Sequence, residues 1–395
     1  MASRREERAL SVETGLDRVL ADCPRGLRGR GVGLLTNHTG VDARMRPGPT
    51  LLRESGSVRL ERLFAPEHGL YGEAPAGAPI EDRDDSLTGL PVVSLYGKGR
   101  RPTRERLDGL DAVLVDLQDI GCRYYTLLGT ALDLLDACRE AGIPLVVLDR
   151  PNPLGDGFEG SRAVDPAYRS LVGAVSAPMR HGLTLGELLR LAARERGGDE
   201  GVEVVAMRGW RRRMRWPEVG RSWVPPSPNA PSYEMARLYP GTCLVEGTNL
   251  SEGRGTASPF LQAGAPWLDA FALAAALAQG PDDGVYARPV HFLPTFSKHT
   301  GAVCQGVMLH VDPERDADVL PKALAFLAAA MRHPESRFQG EDPPSPRPFF
   351  DLLSGDARLR EDLEAGRPVN EILADWRAAL ADWPAVRAIV SLYPD

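Results

Sequence analysis

Two stretches of nearly unbroken apolar character, AVLVDL (112–117) and IPLVVLD (143–149), flank the helical pattern TLLGTALDLLDACREAG. A strand without polar alternation has no face to offer water, so it belongs in a sheet covered on both sides. Between the two, Leu128, Leu132, Leu135 and Cys138 recur at helical spacing and Gly142 supplies a stop. Strand, crossover helix and strand in that order make a β-α-β unit, which forces the two strands parallel. GVGLL (31–35), LERLF (60–64) and PVVSLY (91–96) extend the series. A further helix is predicted over TLGELLRLAARERGG, where Thr184 and Glu187 stand in capping-box spacing and Leu185, Leu188, Leu189 and Ala192 share one face. The fold class expected is α/β, with a doubly wound, mostly parallel sheet.

A chain of 395 residues exceeds one ordinary core, so two domains are expected. The proline-rich stretch WVPPSPNAPSYE (223–234) marks the crossing, dividing the chain into 1–235 and a smaller α+β part, 236–395. In that second part TCLVEGTN reads as a strand. VHFLPTF and AVCQGVMLHV, separated by SKHTG, read as an antiparallel pair, and helices are expected near 267–279, 319–331 and 371–380.

A net charge of −7 gives no basis for a nucleic-acid partner. The one basic cluster, RGWRRRMRW (208–216), reads as a solvated edge or an interdomain contact. Five cysteines (Cys23, Cys122, Cys138, Cys243, Cys304) with no CxxC pair point to neither a disulfide framework nor a zinc site. No apolar run has the length of a membrane span, and the charged first residues lack the apolar core of a signal peptide, so a cytoplasmic location is expected. GxGxxG opening a helix, GxxxxGK[ST], GxSxG and HExxH are all missing. No cofactor and no metal are therefore expected.

The informative pattern is positional. TNHTG follows the first strand, APEHGLYGE the second, QDIGCRYY the strand AVLVDL, and RPNPLG the strand IPLVVLD. Carboxyl ends of parallel strands lie on one rim, and ligands bind in the crevice outside it. Asn37, His38, Glu67, His68, Asp116, Gln118, Asp119, Arg123, Arg150 and Asn152 are expected to converge there. From the second part, the glycine-rich LVEGTNLSEGRGT would close the cleft, with Glu246, Asn249, Glu252 and Arg254 as its polar groups. Carboxylates, amides and arginines without a metal site suit recognition of sugars or carboxylates.

LLTNHTG, APEHGLYGE, DLQDIGCRYYT, LDRPNPLG, PSPNAPSYEMARLYPGTCLVEGTNLSEGRGT and FSKHTGAVCQGV, in this order, resemble the exo-β-N-acetylmuramidase family of bacterial cell-wall turnover. The resemblance continues to FFDLLSGDARLREDLEAGRPVNEILADW and so spans nearly the whole chain. It implies a Rossmann-like N-terminal domain, a smaller C-terminal domain and an active cleft between them. The implied activity is release of terminal N-acetylmuramic acid from the non-reducing end of peptidoglycan fragments. The implied partner is a small molecule, a muropeptide or a muramyl-glucosaminyl oligosaccharide, with no nucleic acid and no membrane involved.

Carried over by motif, Glu67 resembles the catalytic acid with His68 beside it, Glu73 ranking lower. Asn37, Asp116, Gln118, Asp119, Arg123, Tyr125, Arg150, Asn152, Asn229, Glu246, Asn249 and Arg254 are the substrate-binding candidates; Glu252 departs from the pattern. N-acetylmuramic acid differs from N-acetylglucosamine by a lactyl carboxylate, which Arg123, Arg150 or Arg254 would grip. A second carboxyl group, or the substrate's own acetamido group, would complete the chemistry. Two other readings remain at this stage: a non-catalytic muropeptide or sugar-acid binding protein, and an amide or ester hydrolase with His68 as base.

Overall fold

The computed structural model describes residues 12–162, 164–198, 201–280, 282–338 and 347–395. Strands β1 (Gly31–Thr36), β2 (Arg59–Ala65), β3 (Arg83–Asp84), β4 (Pro91–Ser94), β5 (Ala112–Asp116), β6 (Leu145–Leu148) and β7 (Val202–Val205) form one sheet in the order β3-β4-β2-β1-β5-β6-β7. All neighbours run parallel except the short edge strand β3 against β4. The doubly wound α/β expectation holds. The edge strands β3 and β7 and the helices α1 (Gly15–Ala21) and α2 (Gly48–Ser55) go beyond the pattern legible in the sequence.

The unbroken apolar runs are explained by what covers them. β1 and β5 are buried at every position, and alternate residues feed two separate cores. Val32, Leu34, Ala112, Leu114, Val146 and Leu148 pack with Leu16 and Val19 of α1 and Leu52 of α2. Leu35, Val113, Val115, Leu145 and Val147 pack on the other face with α3 (Thr126–Ala141) and α4 (Leu185–Glu195). Helix α3 stops at Gly142 in left-handed geometry (φ 71°), as the sequence indicates. The Thr184–Glu187 capping box is present. The same Glu187 carboxylate also receives Arg212, 2.9 Å away and nearly solvent-free. So the basic cluster turns Arg212 inward, with Trp210 and Trp216 also buried, while Arg208, Arg211 and Arg213 stay exposed as a solvated edge.

After the short helix α5 (Trp216–Val219) and the proline-rich loop, α6 (Tyr233–Thr242) opens the second part. Strands β8 (Gln262–Ala265), β9 (Val285–Phe292) and β10 (Cys304–Val311) form an antiparallel sheet in the order β8-β10-β9, with the expected hairpin between β9 and β10. Helices α7 (Ala270–Ala278), α8 (Leu320–Ala330), α9 (Phe349–Ser354), α10 (Arg358–Glu364), α11 (Val369–Ala379) and α12 (Trp383–Val390) complete it. TCLVEGTN is not a strand: Cys243–Gly247 is a 3₁₀ turn continuing from α6. Its apolar residues are buried by packing of α6 and α9 rather than by a sheet, a distinction that short apolar runs do not carry. Gly247 lies so close to Phe350 that a Cβ would stand 2.4 Å from that residue's Cα.

The last residues return to the first sheet. Trp383 donates its indole N–H to the His181 carbonyl (3.2 Å), and Tyr393 donates its hydroxyl to Asp149 at 2.5 Å. All five cysteines are free and buried. Among the described residues no helix is long and apolar enough to cross a membrane.

Candidate active site

β2 ends at Ala65, and Pro66 and Glu67 follow directly at the carboxyl rim of the sheet. The chain then reverses through two consecutive left-handed residues, His68 (φ 72°) and Gly69 (φ 82°), with the Gly69 amide bonded to the Pro66 carbonyl. Left-handed backbone is tolerated by glycine but costs a histidine about 1 kcal/mol or more. Two bonds to Ala74 hold it: the Ala74 amide donates to the His68 carbonyl, and the His68 ring Nδ1 meets the Ala74 carbonyl at 2.9 Å. Glu67 is thus presented from a rigid strand end by a braced turn.

Glu67 is buried but opens onto a cavity of about 660 Å³. Its carboxylate accepts from the Thr126 hydroxyl (2.7 Å), at the first residue of α3, and from the Gly77 amide (3.2 Å). The Tyr96 hydroxyl faces it as well; burial first, and the neighbouring Glu67 charge second, raise that phenol above its ordinary value. The opposite wall comes from the second part of the chain: Tyr239, Cys243, Glu246, Arg254, Phe260, Phe349 and Leu353. Tyr125 stands edge-on to Tyr239, and Tyr239 to Phe260, with centroids 6.2 and 4.9 Å apart. Asn229 and Ser227 of the proline-rich loop line the same space. Apolar ring faces beside a few polar groups form a surface suited to a sugar.

Arg254 is held where it stands. Its guanidinium meets Glu246 and lies 3.2 Å from Glu252, with its carbon 5.0 Å from the centre of the Phe260 ring. Burial opposes its charge, yet Glu246 and Glu252 together keep it above its ordinary value. Glu252 is itself desolvated, and Lys298 and Arg254 hold it below the usual carboxylate range. Lys298, from the β9–β10 hairpin, also donates to the carbonyls of Val245, Glu246 and Leu250 at 3.0–3.2 Å. Gly255 packs against Thr295 and Phe296 of the same hairpin. The glycine-rich loop is therefore a fixed wall, clamped by the hairpin.

The rim residues divide in two. Glu67, His68, Tyr125, Asn229, Glu246 and Arg254 line the cavity. The other candidates spend their side chains on the scaffold. Arg150 and Asp116 make a buried two-pronged pair at 2.6 and 3.0 Å, joining β6 to β5. Asn37 accepts from the amide and hydroxyl of Thr39, and Gln118 donates to the Asp119 and Pro151 carbonyls. Asp119 accepts from the Gly121 amide and approaches His181 at 3.4 Å; Asn152 bridges Leu183 and Leu154. Arg123, fully buried, donates to the carbonyls of Ser161, Ala177, Leu353 and Ser354, tying the first part of the chain to the end of α9. Asn249 bonds the backbone of Glu335 and Arg337. The physical reason is common: tight βα turns leave backbone groups that buried amides and charges must satisfy.

Two family descriptions match the chain: exo-beta-N-acetylmuramidase NamZ, N-terminal, over residues 32–234, and exo-beta-N-acetylmuramidase NamZ, C-terminal, over residues 237–393. The chain belongs to the NamZ exo-β-N-acetylmuramidase family. The peptidoglycan beta-N-acetylmuramidase NamZ of Bacillus subtilis (strain 168) is 37% identical over 382 residues, covering 97% of this chain and 91% of that protein. Two solved DUF1343 family proteins from Bacteroides fragilis NCTC 9343 share the fold. One has a TM-score of 0.86 at 32% identity, over 97% of this chain and 99% of that one. The other has 0.74 at 29%, over 98% and 99%.

Sequence reasoning did not single out Tyr96, Thr126, Tyr239 or Phe260. Thr126 carried a signal in hindsight, as the first residue of a helix predicted to start at the rim. Tyr239 and Phe260 carried none, because an aromatic residue in an apolar segment reads as core. Among the described residues no group of three or more histidine, cysteine, aspartate or glutamate side chains is placed to hold a metal ion.

Proposed function

We propose that this protein is a peptidoglycan glycosidase that releases terminal N-acetylmuramic acid from the non-reducing end of glycan fragments. Membership of the NamZ family supports cleavage of a peptidoglycan sugar. The observation that carries the site assignment is Glu67, presented on a braced turn in an aromatic-lined cavity whose far wall bears Glu246. Glycoside cleavage needs a carboxyl group beside the scissile oxygen and a second group to stabilise or attack the anomeric carbon. Glu67 takes the first role, with His68 beside it, and Glu246, held by Arg254, or the substrate's acetamido group takes the second. Tyr125, Tyr239 and Phe260 pack against the sugar, and Asn229 bonds its polar edge. A cavity of about 660 Å³ accommodates a terminal sugar and part of its neighbour, which favours cleavage at chain ends.

The test is turnover of a muramyl-glucosaminyl disaccharide. The wild type should release N-acetylmuramic acid, identified by mass. Glu67→Gln should lower kcat by at least about 10³-fold while retaining the disaccharide's dissociation constant within a few-fold. A variant that cleaves normally would remove Glu67 from the mechanism, and a wild type that binds without cleaving would make the protein a sugar-acid binder.

A further inference from the structure

Four arginines line the cavity: Arg100, Arg169, Arg254 and Arg347. Three are engaged with protein acceptors. Arg254 is locked by Glu246 and Glu252, Arg100 lies 2.5 Å from Asp133, and Arg347 donates to the Ala167 carbonyl at 2.6 Å. Arg169 differs. Its nearest acid, Glu195, is 3.9 Å away, beyond hydrogen-bonding reach, and its side chain is 42% exposed. We infer that Arg169 is the residue that recognises the lactyl carboxylate of the terminal sugar, the role the sequence pattern offered to Arg123, Arg150 or Arg254. The inference rests on the muramidase reading above.

The position fits. Arg169 stands on a ledge, residues 165–173, that is fixed at several points. Asp165 caps the turn Pro166–Tyr168, the Asp165 amide bonds the Gly355 carbonyl, and Arg347 holds Ala167. Leu171 presses on Gly129 of α3 so tightly that a Cβ there would lie 2.6 Å from the Leu171 carbonyl oxygen. Helix α3 serves as a ruler along this wall: Thr126 holds Glu67, Gly129 seats the ledge and Asp133 pairs with Arg100. These residues recur at one-face spacing, so along the axis the ledge lies about 4.5 Å, and the Arg100 contact about 10 Å, from the Glu67 contact. In a pyranose the C3 substituent, which in N-acetylmuramic acid is the lactyl ether, stands two ring atoms from C1 and projects away from the glycosidic bond. A sugar with its C1 oxygen at Glu67 and its C3 side toward the ledge brings the carboxylate to Arg169. Ser170, the next residue, also lines the cavity, and its buried hydroxyl has no hydrogen-bond partner among the described residues.

The test compares a muramyl-glucosaminyl disaccharide with the same compound methyl-esterified at the lactyl carboxyl group. The wild type should prefer the acid by about 30-fold or more in kcat/KM, as expected for loss of a hydrogen bond to a charged group. In Arg169→Ala that preference should collapse to within about threefold, and Arg169→Lys, which keeps the charge without the fork, should fall between. Binding of N-acetylmuramic acid and of its methyl ester, followed by calorimetry, gives a readout free of turnover. If Arg169→Ala keeps the wild-type acid-to-ester ratio, the assignment is overturned. It is equally overturned if the wild type treats acid and ester alike, although cleavage of both would leave the glycosidase standing. If nothing is cleaved but the binding preference depends on Arg169, the glycosidase reading falls and the carboxylate site remains.

Discussion

Arg254 shows how one side chain changes meaning between sequence and structure. In LVEGTNLSEGRGT it is an arginine among glycines, free to reach a ligand. In the folded protein it balances two carboxylates, one of which, Glu252, is 1% exposed. Removing it would strand Glu246 and Glu252 with Lys298 as the remaining cation close by. Breaking a buried pair by deleting one partner is far more damaging than the pair is worth intact. Arg254→Ala should therefore lower unfolding free energy by roughly 2–4 kcal/mol, measured from the urea midpoint and slope. It should also lower turnover of acid and methyl-ester substrates alike, which separates it from Arg169. A variant of wild-type stability would show that the glutamates relax into solvent.

At the scale of elements, helices and strands from different parts of the chain are joined by side chains that finish each other's ends. The N-terminus of α8 is capped from the first part of the chain: Glu159 accepts from the Val319 and Leu320 amides at 3.3 and 3.2 Å. Burial, reinforced by Asp318, raises the Glu159 carboxyl from 4.5 to about 7, while Arg180 pulls the other way. A carboxyl group raised by folding contributes stability that is complete below its unfolded value and is lost as pH rises through its folded value. Glu159 should thus make the protein more stable near pH 4.5 than above pH 7, by on the order of 3 kcal/mol. In Glu159→Gln that slope of unfolding free energy against pH, between about 4.5 and 7, should flatten. An unchanged slope would assign it to other groups, Asp149 foremost, since burial raises that carboxyl to about 6.

For the whole molecule, the parts are tied in sequence order and then tied again by the returning C-terminal segment. Arg123 reaches from the α3 side of the first sheet to the last carbonyls of α9, while Tyr393 comes back to Asp149 at the end of β6. The Tyr393 hydroxyl also accepts from the Met207 amide, and its ring lies edge-on to Trp210 with centroids 4.9 Å apart. Tyr393→Phe keeps the ring and removes both bonds. It should cost about 1–3 kcal/mol and lower the unfolding midpoint by several degrees in calorimetry, with kcat nearly intact because the site is elsewhere. A large loss of kcat without loss of stability would show instead that the return segment sets the geometry of the cavity.

Local pattern was enough for the class of sheet, the capping box of α4, the stop of α3, the β9–β10 hairpin and the rim on which Glu67 stands. These follow from periodicity, glycine and neighbouring residues, interactions that act within a few positions along the chain. Tertiary structure alone decided which rim residues face the cavity. Asn37, Asp116, Gln118, Asp119, Arg150 and Asn152 are chemically as able to meet a sugar as Glu67. They turn inward because buried groups there need partners: turn amides and carbonyls for Asn37, Gln118, Asp119 and Asn152, and each other for Asp116 and Arg150. Cys243–Gly247 became a 3₁₀ turn, and the loop that carries Arg254 a fixed wall, through contacts the local pattern does not contain: Phe350 against Gly247, and Lys298 on Glu252 and the loop carbonyls, lie dozens of residues away. A side chain's type travels with the sequence, but its direction is set by whichever buried group would otherwise go without a bond.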